Sequence, residues 1–162
     1  MRVTARGVDG VIAELDALAE RAANLRPVLE VAATDTRTLI DDSFRHSRTP
    51  EGNEWEGLDK KTIKRRRQGP NLRARKATIL VDTGRLKNSI VSTATQSALS
   101  FGTNVQYAPY HQFGNGRMYR PFLPIEKTGS AYVLMTGGAA GRHWREVRAM
   151  VVEYIRTGEI EG

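Results

Sequence analysis

The sequence predicts an α+β domain, on three observations. Apolar residues recur at spacings of three and four near the N-terminal end, the same spacing returns near the C-terminal end, and short alternating segments lie between. The expected architecture is a long N-terminal helix and a C-terminal helix packed on a small antiparallel sheet, with a long basic loop. At 162 residues without an internal repeat, the chain suits a single domain over 1–162.

The first helix rests on Val8, Ile12, Leu15, Leu18, Ala22, Leu25 and Leu29, which fall on one face. Asp9 is placed to cap it, and Pro27 should interrupt or kink it, because proline lacks a donor and clashes with the preceding turn. The pattern resumes through Ala32, Leu39, Ile40 and Phe44, so one helix, broken or kinked, is expected from about Gly7 to Arg45. A short strand over Arg2–Ala5 is expected before it. Ser89–Thr95 and Ala98–Thr103 read as two strands joined by Gln96-Ser97, and a cap at Asp82 or Thr83 opens a helical turn over 85–88. Pro121 and Pro124 hold their neighbours extended. Residues 125–141 read as an inserted hairpin running into the glycine-rich 137–141, expected to be a hinge or turn. Trp144, Val147, Val151, Tyr154 and Ile155 then give a helix of about fourteen residues closed by Gly158.

The formal net charge is +7, and its location matters more than its sum. Residues 46–76 lose all period and read as a flexible loop, with a helical turn expected within 60–67. From Lys60 to Lys76 more than half the residues are Lys or Arg and none is acidic. Lys60, Lys61, Lys64, Arg65, Arg66 and Arg67 are therefore the candidates for contact with DNA or another acidic partner. The run lacks interleaved aromatics, which argues against readout of base sequence. A solvated or protein-contacting loop is weighed slightly above DNA contact.

Other chemistry is poorly supported. The chain has no cysteine, which excludes disulfides and thiolate metal sites and fits synthesis in a reducing cytosol. His46, His111 and His143 are far apart and lack ligand spacing, so no metal and no cofactor is expected. The glycine clusters at 114–116 and 137–141 lack the lysine of a phosphate loop and its strand-to-helix setting. No nucleophile elbow is present, and the expectation is a protein that is not an enzyme. No apolar run reaches the roughly 20 residues needed to span a bilayer, and residues 1–7 contain no apolar signal core.

Tyr107–Pro124 carries the densest signal. Tyr107, Tyr110 and Phe113, with His111, Trp55 and Leu86, are expected in the core. Arg120, Pro121 and Phe122, with Arg85, are expected at a subunit interface, because aromatic and arginine side chains combine contact area with a polar handle. That split predicts that Phe122→Ala or Arg120→Ala leaves the monomer folded and stops assembly.

Taken in order, several blocks form one series. They are Phe44, Pro50-Glu51-Gly52-Asn53-Glu54-Trp55, Leu58, Thr62, the run 79–90 containing Asp82-Thr83-Gly84-Arg85-Leu86, Gly102-Thr103-Asn104, Tyr107-Ala108-Pro109-Tyr110-His111-Gln112-Phe113-Gly114 and Arg120-Pro121-Phe122-Leu123. This series resembles the phage virion morphogenesis family, the Mu-type and P2-type tail completion proteins, closely over about 44–123. Gly69–Lys76 is longer and more basic than that family's pattern, and 125–141 stands where a short connection is expected. The resemblance implies a structural virion protein, made in the bacterial host cytoplasm, that completes the tail or forms the neck at the head–tail junction. Its implied partners are copies of itself in a ring, expected to be a hexamer, and neighbouring tail-tube, neck or connector proteins. It implies no membrane, with non-specific contact to genomic DNA left open. The alternative from a different class is a basic DNA-binding module acting through Lys60–Lys76.

Overall fold

A computed structural model describes residues 8–69, 78–114 and 118–160. The strand expected at Arg2–Ala5 and the last part of the basic loop, 70–76, lie outside the described residues.

The N-terminal helical region is two helices, α1 (Val8–Ala23) and α2 (Arg26–His46). Pro27 stands in the first turn of α2, where a missing N–H costs nothing, and the chain breaks just before it. The break is held: the Leu25 N–H donates to the Gln96 carbonyl at 2.8 Å. Asp9 does not cap α1. It lies inside the first turn, where its charge still suits the positive end of the helix dipole.

α2 is the central element. Val28, Leu29, Ala32, Thr36, Ile40 and Phe44 are buried along one face at helical spacing. A two-stranded antiparallel hairpin, β1 (Val91–Ala94) with β2 (Leu99–Gly102), packs against it. Its turn dispenses with glycine because the Thr95 hydroxyl accepts the Ala98 N–H at 3.1 Å, and the Ala98 carbonyl accepts the Thr95 N–H at 2.8 Å. Arg37 on α2 anchors the entry to β1, donating to the carbonyls of Ile90 and Lys87 and pairing with Asp41.

The expected basic loop is partly helical. Lys60–Gln68 forms α3, capped by Asp59, whose carboxylate accepts the Thr62 N–H at 2.7 Å. That bond holds the Asp59 carboxyl below its ordinary pKa. Two short helices follow on either side of β1–β2. In α4 (Arg85–Asn88) the Thr83 hydroxyl accepts the Arg85 N–H, while Gly84 takes the left-handed cap position with φ 83°. The other, α5 (Ala108–Gln112), forms where the aromatic run gave no helical period. A second hairpin pairs β3 (Ile125–Thr128) with β4 (Ala131–Leu134), separate from the first.

Helix α6 spans Gly138–Thr157, 20 residues against about fourteen expected. The difference lies at its start, where the glycine-rich segment builds the first turn rather than a hinge. Gly158, with φ 81°, ends the helix and returns its N–H to the Tyr154 carbonyl at 2.8 Å.

α6 meets α2 through a buried polar pair. The Thr36 hydroxyl donates to the Ala32 carbonyl at 2.7 Å, so His143 Nε2, 2.8 Å away, is the donor to Thr36. Burial lowers the His143 pKa from its ordinary 6.5, opposed by the weaker pull of Asp35 and Glu146. Burial also lowers that of His111, helped by the Arg120 charge. Both groups bind protons more readily when unfolded. Their contribution is therefore complete above pH 6.5 and is lost as the pH falls below it. Denaturant midpoints measured across this range should fall on acidification, and a His143→Leu variant should lose less than the native chain over the same interval.

Candidate functional site

The residues singled out by the sequence converge on one side of α2, and most of them build structure. Phe44, Trp55 and Phe122 form a buried aromatic cluster, with Phe44 edge-on to Trp55 at 5.7 Å and tilted to Phe122 at 5.4 Å between ring centroids. Ile40, Leu86, Ile90, Val105, Ala108 and Leu123 complete this core. Trp55 and Leu86 lie in this core, at 5% and 2% exposure.

Arg120, Pro121 and Phe122 do not form an outer surface of the folded chain. Phe122 is fully buried and Arg120 is 5% exposed. The Trp55 indole N–H donates to the Pro121 carbonyl at 2.9 Å. The Arg120 guanidinium donates to the carbonyls of Glu56 and Gly57, both at 2.9 Å. An arginine spent on backbone carbonyls fastens 120–122 to 55–57 and has little left for a partner. The assignment of these three residues to a subunit contact is thereby corrected; of that group only Arg85 is exposed.

The opposite correction applies to Tyr107 and Tyr110. They were expected in the core but are 40% and 57% exposed, because α5 turns its Ala108 and Gln112 inward instead. His111 is half-buried with its ring edge-on to Tyr107, and Phe113 is half-buried against Tyr132.

Gln112 is the residue that sequence reasoning missed. Its Oε1 accepts the N–H groups of Phe122 and Leu123 at 3.0 and 2.9 Å. Its Nε2 donates to the carbonyls of Leu123 and Ile125 at 3.1 and 2.7 Å. The buried amide thus satisfies a proline-flanked extended segment that pairs with no strand there. The only signal in the sequence was the Pro121-Phe122-Leu123-Pro124 segment, whose backbone groups need partners from somewhere; nothing pointed to Gln112, nine residues before it.

Beside this core lies a cleft of about 560 Å³ between α3 and the α4–α5 region. Arg65, Arg66, Arg85 and Arg120 line it with Asp59, Asp82, Tyr107 and His111. Arg66 departs from its expected role, since its side chain is only 9% exposed, donates to the Thr78 carbonyl at 2.7 Å and lies 3.8 Å from Asp82. Lys60, Lys61, Lys64, Arg65 and Arg67 do face outward. Among the described residues no group of three or more His, Asp or Glu is placed to hold a metal ion, and no helix is long and apolar enough to cross a membrane.

The ordered blocks that make this core fall within the span matched by a family comparison. A model of the phage virion morphogenesis family matches residues 8–149. The chain belongs to that family. No curated protein and no solved structure matches it. The match takes in α1, the aromatic core, both hairpins and the first part of α6, so this virion morphogenesis protein carries the family pattern across nearly all its described elements. A role in building a phage particle follows from membership.

Proposed function

We propose that this chain is a non-enzymatic subunit of a ring at the head-proximal end of a phage tail, where it completes the tail or forms the neck. One observation carries the reading beyond family membership. Large apolar side chains stand exposed on two unlike elements, Val8, Val11, Ile12 and Leu15 on α1 and Tyr132, Val133 and Leu134 on β4. A head-to-tail ring needs two different surfaces on each subunit, and exposed apolar groups of this size favour burial against protein. The partners are copies of the chain, in a ring expected to be a hexamer, and the neighbouring tail-tube, neck or connector proteins.

The exposed bases of α3 support a second, compatible contact. Lys60, Lys61, Lys64, Arg65 and Arg67 suit a passing DNA backbone, read without regard to sequence. Such a contact weakens steeply with salt, which separates it from an apolar protein interface.

Lysates of phage lacking the gene test the proposal. The expected result is separate filled heads and tails that fail to join, or tails with an aberrant head-proximal end, restored by supplying the protein. Normal, fully joined particles would exclude the assembly role.

A further inference from the structure

α1 turns its apolar residues to a side that nothing in the described chain covers. Val8, Val11, Ile12 and Leu15 are 47, 56, 50 and 58% exposed. They fall at i, i+3, i+4 and i+7, so they form one stripe. No residue of α1 is buried. Its tie to the fold is at the far end, where Arg21 donates to the carbonyls of Ile155 and Arg156 at 2.7 and 3.1 Å. Asp9, Asp16 and Glu20 run along one edge of the stripe and Glu14 along the other, with Arg21 as the one base of the helix.

The same chain carries a surface of the opposite kind. A groove of about 480 Å³ lies between β2, the end of β4 and the first half of α6. Phe101, Leu134, Trp144 and Val147 give it an apolar lining, with Phe101 and Trp144 stacked at 5.9 Å. Arg145 and Arg148 also line it and are exposed.

We infer that α1 of one copy docks in this groove on a second copy. The stripe meets the apolar lining while the acidic edge lies beside Arg145 and Arg148, a helix-in-groove contact with matched charge. Stripe and groove are different patches, so the contact is head-to-tail and repeats from copy to copy, closing into a ring when the rotation allows. The inference rests on the assembly reading above and names the surfaces that make the assembly.

The full chain can be tested by light scattering over a range of concentrations, with three sets of variants. Leu15→Asp changes an exposed side chain, so its melting curve should match the native one at dilutions where both are single copies, while at higher concentration its mass falls from the oligomer to a single copy. Arg145→Glu with Arg148→Glu should weaken assembly at least tenfold, and adding Asp9→Lys with Asp16→Lys should restore it. The chain has no cysteine, so mixing Ile12→Cys protein with Val147→Cys protein and oxidising should give a disulfide between the two populations. A native chain that is monomeric throughout overturns the inference. So does an oligomer that survives Leu15→Asp unchanged, although the ring reading then stands with a different contact. An Ile12→Cys/Val147→Cys double variant that closes only within one chain also overturns it, by placing α1 on its own groove. Absence of the subunit from finished particles removes the ring reading separately.

Discussion

Phe122→Ala is expected to destabilise the fold by about 3–5 kcal/mol, the cost of removing a fully buried aromatic ring and leaving a cavity. Domains of this kind have about 5–15 kcal/mol in total, so the variant keeps only part of its stability. The ring has no exposed surface, packs on Phe44, and belongs to a segment whose backbone is held by Trp55, Arg120 and Gln112. Thermal unfolding should fall by roughly 10 °C or more. Phe122→Leu, which keeps most of the volume, should cost less than half as much. If Phe122→Ala instead melts like the native chain while losing assembly, the burial account is wrong and the ring would have to meet a partner.

The second large effect is expected at the start of α6. Gly138 has φ 51°, and a Cβ there would stand 1.6 Å from the Glu51 carbonyl oxygen. Three residues on, a Cβ at Gly141 would stand 1.9 Å from the Thr136 carbonyl oxygen. The close approach is used: the Ala140 N–H donates to the Pro50 carbonyl at 2.9 Å, and the Gly137 N–H to the Glu51 carboxylate at 3.2 Å. The 49–51 loop thus supplies acceptors to the free N–H groups of the helix start. Gly138→Ala adds left-handed strain to a backbone clash and should cost about 3 kcal/mol or more. Gly10→Ala is the matched control. It lies in α1 with nothing within 4 Å of the added carbon, and it should stabilise by about 0.5–1 kcal/mol through helix propensity. Denaturant unfolding of both variants reads the contrast in sign.

These two sites also show why parts of the fold could be read in advance and others could not. Period found α2, the β1–β2 hairpin and the apolar face of α6, because α2 buries one face within the chain and the other two half-bury theirs against it or beside it. Proline chemistry found the break between α1 and α2. The same logic could not say that α1 would stay uncovered, because an apolar stripe reports that a face will be buried and not against which chain. Tyr110 and Phe122 were exchanged between core and surface for a related reason. Both stand near proline in an aromatic run, and composition alone does not distinguish a side chain fastened inward from one presented outward. Gln112 decides that question by holding 122–125 in place, and a single amide has no periodic signature. Glycines 138 and 141 looked like a hinge because the Glu51 and Thr136 carbonyls they accommodate are invisible until the chain is folded.

The family places the chain among proteins that build virions. The 120–122 segment is buried in the chain's own core, whereas the apolar stripe on α1 is exposed. The central claim is that the chain works as a repeated subunit where tail meets head. Electron microscopy of intact particles, with the subunit located by a bound antibody fragment or by fitting its density, tests this most directly. The account predicts several copies arranged as a ring at the head-proximal end of the tail. Finished particles without the subunit, or with it as a single copy away from that junction, would contradict it.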